Sequence, residues 1–351
     1  MVAVSRWRYF VQRTLMAIPV ILFGTTITFL IIRLGPIDPA AAILGPQQAG
    51  SQEYYRIREQ LGLDEPLWSQ YVDFMWEMLT LQLGRSWVVS SGTTVNDLVA
   101  IYAPRTMWLG FWAVLIAIFV GIPLGFYAGL HPNTPSDYLA SFGGIVWRAM
   151  PNFWLAVIMV TLLSQSQRFL GFNYEAVVVP TKIVTPPNLN FFRDPLQFVT
   201  RPGETWPELV GAIKQIAPAA IVLGSASMGN EMRIGRTAVL ETINSPYVET
   251  ARAKGVSRRV LVWKHVFRNA LIPLVPIITG EAFLLIGGSV LVEVVFAING
   301  LGYLFYQAAL QGDLPLVAAL MYIFIVLLVA TNILQDFLYT VIDPRVGYER
   351  S

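Results

Sequence analysis

Long apolar stretches broken by single charges run through most of the chain. A helix needs about 20 mostly apolar residues to cross a hydrocarbon core of about 30 Å, and it satisfies its own backbone hydrogen bonds as it does so. Six segments meet that requirement, so the pattern predicts an all-α integral membrane protein with six spans. The first lies between Arg13 and Arg33 and the second runs from Thr106 to Leu130, both free of internal charge. Tyr138 to Ser164 carries Arg148 as its only charge, and the small-residue-rich Gly211 to Met232 has Lys214 and Glu231 near its ends. The fifth span, about Pro273 to Ala297, contains Glu281 and Glu293, and the sixth runs from Leu314 to Gln335. Six spans return both termini to one side.

Positive charge sets that side. Arg6, Arg8 and Arg13 precede the first span, which predicts a cytoplasmic N-terminus and, with it, a cytoplasmic C-terminus. The stretch from Arg233 to Ile272 holds eight Lys or Arg against Glu241 and Glu249, and agrees. The segment 168–214, on the opposite side, carries five Lys or Arg and weighs mildly the other way. The first apolar run exceeds the 7 to 15 residues of a signal-peptide core, so it is expected to stay attached as a helix.

Between the first two spans, Gln52 to Leu61 and Leu67 to Leu83 repeat apolar residues at helical spacing, with Gly62 and Gly84 as stops. They predict amphipathic helices on the outer membrane face, either a cap on the bundle or a landing platform for an external partner. The cap is the simpler reading. Six prolines between Val179 and Pro207 predict an irregular outer loop.

Composition narrows the function classes. The chain is 55% hydrophobic and 13% charged, against about a quarter charged in an ordinary soluble domain. A net charge of +2 argues against nucleic acid as a partner. The absence of cysteine excludes disulfides and thiolate chemistry, and His131 and His265 lack metal-ligand spacing, so no metal site is expected. A phosphate-binding loop needs Gly-Lys followed by Ser or Thr. None of Lys182, Lys214, Lys254 and Lys264 follows a glycine, so nucleotide binding of that kind is not expected here.

The sharpest local signal is SPYVETARAKG, Ser245 to Gly255. Ser245 suits an N-cap, Pro246 the first helical position, and Gly255 the left-handed residue that ends a helix. A second helix from about Ser257 to Ile272 would return to the membrane at Pro273. A short capped helix held between two spans suits the transmission of a push from a soluble partner, and suits an ordinary connection equally well.

The segment resembles the E-A-A-x3-G loop of permeases of ATP-binding-cassette importers, here Glu249, Thr250, Ala251, then three residues, then Gly255. Thr250 departs from the usual second Ala. The whole chain resembles the B-type dipeptide, oligopeptide and nickel permeases of that class. RLGPIDPA (Arg33 to Ala40), LGLDEPLWSQY (Leu61 to Tyr71), GIPLG (Gly121 to Gly125) and PNFWLA (Pro151 to Ala156) carry the resemblance in the first half. VEVVF (Val292 to Phe296), NGLGYL (Asn299 to Leu304), GDLPLV (Gly312 to Val317) and DFLYTVIDPRV (Asp336 to Val346) carry it in the second. Ile37, where the family usually has Gly, is a departure on the outer face.

The resemblance implies a type I importer permease fold: helix 1 within residues 1–33, an outer loop over 34–105, a five-helix core over 106–340 and a tail over 341–351. It implies a second, similar permease subunit as heterodimer partner, two cytoplasmic ATPase subunits that bind the ATP and Mg, an external binding protein, and no cofactor in this chain. It assigns ATPase coupling to Tyr247, Glu249, Thr250, Ala251, Ala253, Lys254 and Gly255. Pathway or gate candidates are Arg148, Glu281, Glu293 and Asp313.

Charges inside membranes are functional candidates by default. Glu293 reads first as a packing or gating group and second as a substrate contact. Arg148 could pair with Glu281, line the pathway, or extend to the interface. Gly224, Ser225, Ala226 and Ser227, with Gly287, Gly288 and Ser289, suit close helix contacts. A secondary transporter or channel is the competing class, and would need midplane coupling-ion residues and inverted repeats, which the chain does not display. The resemblance implies import of dipeptides or oligopeptides through a pathway of which this chain forms half, with nickel chelates, glutathione or oligosaccharides as the alternative solutes.

Overall fold

The computed structural model describes residues 2–177, 187–189, 194–275, 278, 280 and 290–342. Apart from one isolated bridge between Arg85 and Thr94, its regular structure is helical. Among the described residues, four helices are long and apolar enough to cross a membrane: Phe10–Leu34, Val95–Leu130, Pro202–Ile243 and Leu314–Leu338. A fifth span arises if Pro135–Ala149 and Asn152–Ser164, bent by 98°, cross together. Of the expected span from Pro273 to Ala297, residues 276, 277, 279 and 281–289 lie outside the described residues, Glu281, Gly287, Gly288 and Ser289 among them. At its end the helix Val290–Val295 is seen. Of the outer loop's prolines, Pro180 and Pro186 are also outside.

Proline explains the irregularities. Met150 takes extended torsions (φ −81°, ψ 128°) because the ring of Pro151 excludes the helical region for the residue before it, and the third span breaks there. In Val95–Leu130, a π-helical stretch Ala117–Gly121 precedes Pro123, whose missing N–H cannot close the regular ladder. The Pro202–Ile243 helix has 42 residues, twice the expected Gly211 to Met232 stretch. At 1.5 Å per residue it is about 60 Å long and must extend beyond the hydrocarbon or tilt strongly.

This long helix is the core's axis. Gly121, Gly125 and Gly129, one turn apart, lie against Met228, Met232 and the Arg236 to Val239 turn, where an added Cβ on Gly125 would meet the Met232 carbonyl. Gly224 answers from the other side against the Ala113 carbonyl, and Gly229 against Gly144. Trp108, Leu109 and Ala113 pack with Ile216, Ala219, Ala220 and Leu223 in the main core. The first and last spans pair separately, with Arg13 3.7 Å from Asp336 and the Phe10 ring 5.8 Å from that of Phe337.

Both outer amphipathic helices are present, as Gln52–Gln60 and Leu67–Leu79. The second ends four residues short of the expected Leu83 because the chain turns at Leu81 (φ 57°) and again at Gly84 (φ 73°). Asp38 ties this region together. Its Oδ1 accepts the Ala40 and Ala41 amides at 2.9 and 3.1 Å, and its Oδ2 accepts Tyr54 Oη at 2.7 Å and lies 3.4 Å from Arg58, which also grips Asp64 at 2.8 Å.

Burial pushes the Asp38 carboxyl up, but the Tyr54 hydroxyl, the two amides and Arg58 outweigh it and hold it below the usual range. A depressed carboxylate stabilises the fold above its unfolded value, near 3.9, and that contribution disappears as pH falls through the folded value. Amide protection factors over residues 38–64, taken relative to the intrinsic exchange rate at each pH, should therefore fall below about pH 4. Asp38→Asn should exchange faster at neutral pH and lose this acid dependence; a steep acid response in the variant would assign it elsewhere.

Candidate coupling loop and buried carboxylates

The short helix is Pro246–Ala253. Ser245 occupies the N-cap with extended torsions, but its hydroxyl donates to the Thr242 carbonyl at 2.6 Å instead of accepting an amide. Gly255 has φ 76° and its N–H reaches the Arg252 carbonyl at 3.0 Å, while Val256 N–H bonds Ala251 at 3.2 Å. That is a left-handed helix stop of the kind only glycine adopts without strain.

Two residues fasten the helix to the bundle. Val248 and Ala251 are buried in a cluster with Ile122, Phe126, Ala238, Val239, Leu261 and Val266. The candidates Tyr247, Glu249, Thr250, Ala253, Lys254 and Gly255 are exposed, so one face is packed and the other is open. Thr250 Oγ1 returns to the Pro246 carbonyl at 2.9 Å, which accommodates the departure from alanine at an exposed position. The next helix is less regular than expected, running through Arg258–Val260, a π-helical Leu261–Phe267 and Arg268–Ala270.

An ion pair that sequence reasoning did not find braces this end of the bundle. Arg236, on the long helix, donates from Nη2 to Asp137 Oδ2 at 2.8 Å and from Nε to Oδ1, and the Asn133 amide also bonds Asp137 at 2.9 Å. The Asp137 side chain is 1% exposed. Its local signal was Thr134 three residues earlier, whose hydroxyl accepts the Asp137 amide at 3.3 Å as a helix cap.

The four pathway candidates separate. Arg148 is exposed and donates to Asn230 Oδ1 at 2.6 Å. Glu281 lies outside the described residues. Glu293, fully buried, accepts Thr106 Oγ1 at 2.9 Å and the Tyr303 amide at 2.9 Å, and Thr106 in turn accepts the Leu301 amide at 2.7 Å. Glu293 and Thr106 thus cap the Leu301–Gln311 helix, whose first amides have no partner within the helix. Gly300 is required there, since a Cβ would lie 2.5 Å from Glu293 Oε2.

Asp313 does similar work elsewhere. Buried, it accepts the amides of Trp87, Val88 and Val89 at 3.1, 3.0 and 3.0 Å, together with the Ser86 hydroxyl. It ties the outer loop to the start of the last span. Neither carboxylate is brought to Arg148, and Thr106 and Ser86 were not among the expected residues. Among the described residues, no group of three His, Cys, Asp or Glu is placed to hold a metal.

An apolar helical bundle, a glycine-lined helix crossing and a capped loop fastened to that crossing define a multi-span helical membrane protein. Residues 121–348 match the binding-protein-dependent transport system inner membrane component family, and residues 6–93 match the N-terminal membrane component of such systems. The chain belongs to this family and is a non-catalytic, multi-pass inner-membrane subunit. Such a component works, in general terms, with a binding protein and ATPase subunits.

Similar proteins extend over nearly its full length. The oligopeptide transport system permease protein AppB of Bacillus subtilis is 33% identical over 97% of this chain and 99% of its own. The dipeptide transport system permease protein DppB of Alkalihalophilus pseudofirmus is 32% identical over 97% and 99%, and DppB of Escherichia coli K12 is 27% identical over 98% and 99%. Among solved structures, the MetNI methionine ABC transporter in an inward-facing conformation matches with a TM-score of 0.50 at 18% identity, covering 71% of this chain and 97% of that one. That likeness concerns the fold.

Proposed function

We propose that this chain forms half of the translocation pathway of an ATP-driven importer of dipeptides or oligopeptides. The observation that carries the reading is the 33% identity to an oligopeptide permease over 97% of the chain. A second, similar permease supplies the other half, and an external binding protein delivers the peptide. Both termini are cytoplasmic, and the stretch Pro273 to Ala297 provides the sixth span. The open face of Pro246–Ala253 receives two-state motion from an ATPase subunit, while Val248 and Ala251 pass it to the Val95–Leu130 and Pro202–Ile243 helices. Support for this comes from the split of the short helix into one packed and one open face.

The test is uptake of a labelled peptide by the assembled importer in vesicles. Uptake should stop when ATP is withdrawn with ion gradients intact; uptake that continued would point to a secondary transporter. Gly255→Val places a β-branched residue at φ 76°, costing roughly 1–3 kcal/mol locally and redirecting the helix end. It is expected to lower uptake and substrate-stimulated ATP hydrolysis at least tenfold in complexes that still assemble. Unchanged rates in both assays would remove the loop from coupling.

A further inference from the structure

We propose that the helix Leu67–Leu79 is immersed in the lipid leaflet at the Arg33 end of the first span, with Trp68, Val72, Trp76 and Leu79 against acyl chains. In the orientation proposed above this is the outer leaflet. The inference rests on membrane insertion of the first span and not on the identity of the solute.

The helix has three faces. Gln70, Met75 and Met78 are buried, with Tyr71 and Phe74 beside them, and form the packed face. Ser69, Asp73 and Glu77 form a polar arc, and Ser69 bonds Glu65 at 2.8 Å within it. Between the two, Trp68, Val72, Trp76 and Leu79 are each more than half exposed. A helix lying on a soluble cap has no use for a second, unpacked apolar face containing two tryptophans.

Its depth says what covers that face. Tyr71 Oη lies 2.7 Å from Thr26 Oγ1, and the Phe74 ring packs 5.5 Å from that of Phe29. Thr26 is inside the Phe10–Leu34 span, about 12 Å from its Leu34 end at 1.5 Å per residue. Tyr71 and Phe74 meet Thr26 and Phe29 in the same chain order, so the helix runs alongside the span and Trp68 lies deeper than Tyr71. The exposed row is thereby level with Ile27, Leu30 and Ile31, the span's own open apolar surface, and continues it. Trp76, five residues further out than Tyr71, falls nearest the zone between acyl chains and headgroups that tryptophan favours, and Trp68 lies among the acyl chains. The polar arc turns away, with Glu77 lining a cavity of about 320 Å³ that Arg33, Gln60 and Arg85 share.

The chain has no cysteine, so single-cysteine labels need no prior substitution in this subunit, and cysteines of the partner subunits are replaced first. Trp68→Cys, Val72→Cys, Trp76→Cys and Asp73→Cys would carry a nitroxide in the assembled importer in phosphatidylcholine and phosphatidylglycerol vesicles. Oxygen should relax the first three labels several-fold more than a water-soluble nickel chelate does, and the label at 73 should show the reverse. Equal nickel access at 68, 72, 76 and 73 would overturn the proposal. So would nickel exclusion at 68, 72 and 76 that appeared only on addition of the binding protein, which would make the face a landing platform. If labelled variants do not assemble, acyl-brominated lipids should quench more emission in the unmodified importer than in Trp68→Phe or Trp76→Phe. Equal quenching would again overturn it.

Discussion

Glu293→Ala is expected to yield a permease that no longer survives purification as a complex, or does so with a strongly lowered melting temperature. The carboxylate is fully buried and accepts the Thr106 hydroxyl and the Tyr303 amide, both at 2.9 Å. Removing it strands two donors away from water, at about 1–3 kcal/mol each. The helix Leu301–Gln311 also loses its N-terminal cap. Glu293→Gln keeps one carbonyl oxygen and should lose roughly half as much. The measurement also separates structure from transport. A carboxylate that met the peptide would, on removal, raise the KM for uptake at unchanged melting temperature. A capping carboxylate lowers the melting temperature first. An alanine variant with wild-type stability would refute the capping role.

What the sequence could and could not reveal follows from distance along the chain. The end of the short helix at Gly255 is determined by a glycine and its immediate neighbours and was legible, whereas the span expected over Tyr138 to Ser164 is broken by Pro151. The spans were legible wherever apolar runs are continuous, although their ends were not. The helix Pro202–Ile243 continues well past Gly211 and Met232, and carries Pro207 and Pro218 within it without a break. The early stop at Leu79 depends on a leucine at φ 57°, a conformation no local pattern announces.

The polar clusters were the hidden part. Glu293 stood out as a charge in an apolar run, but its partner Thr106 is 187 residues away, and Arg236 is 99 residues from Asp137. A periodicity argument sees neither. The same holds for Asp313, whose partners over Ser86 to Val89 lie more than 220 residues earlier. All three carboxylates satisfy backbone or arginine donors inside the fold. The resemblance carried Glu293 and Asp313 as gate candidates; the geometry shows why carboxylates stand there.

Gly125→Val should be the most damaging change in the bundle that touches no charge. A Cβ at Gly125 meets the Met232 carbonyl and lies 2.8 Å from the Met232 Cα, so the obstacle is backbone and cannot rotate aside. Valine adds two methyl groups to that collision. Overpacking of a close-packed core typically costs about 1–3 kcal/mol, and here the two helices must separate along their full crossing. Gly121→Ala is the graded case, since its nearest backbone atoms are at 3.0 and 3.1 Å and a shift of a few tenths of an ångström suffices. Gly211→Ala, with nothing within 4 Å, is the control. It should be neutral or stabilise by about 0.5–1 kcal/mol, because glycine in a helix interior sacrifices that much to entropy. Thermal unfolding of the assembled complex should therefore rank Gly125→Val well below Gly121→Ala, and Gly121→Ala below Gly211→Ala. The crossing at Met232 lies between the coupling loop and the rest of the bundle, so uptake should follow the same order. If Gly125→Val melted with the Gly211→Ala control, the two helices would not approach at Gly125, and the short helix would have to transmit motion by another route.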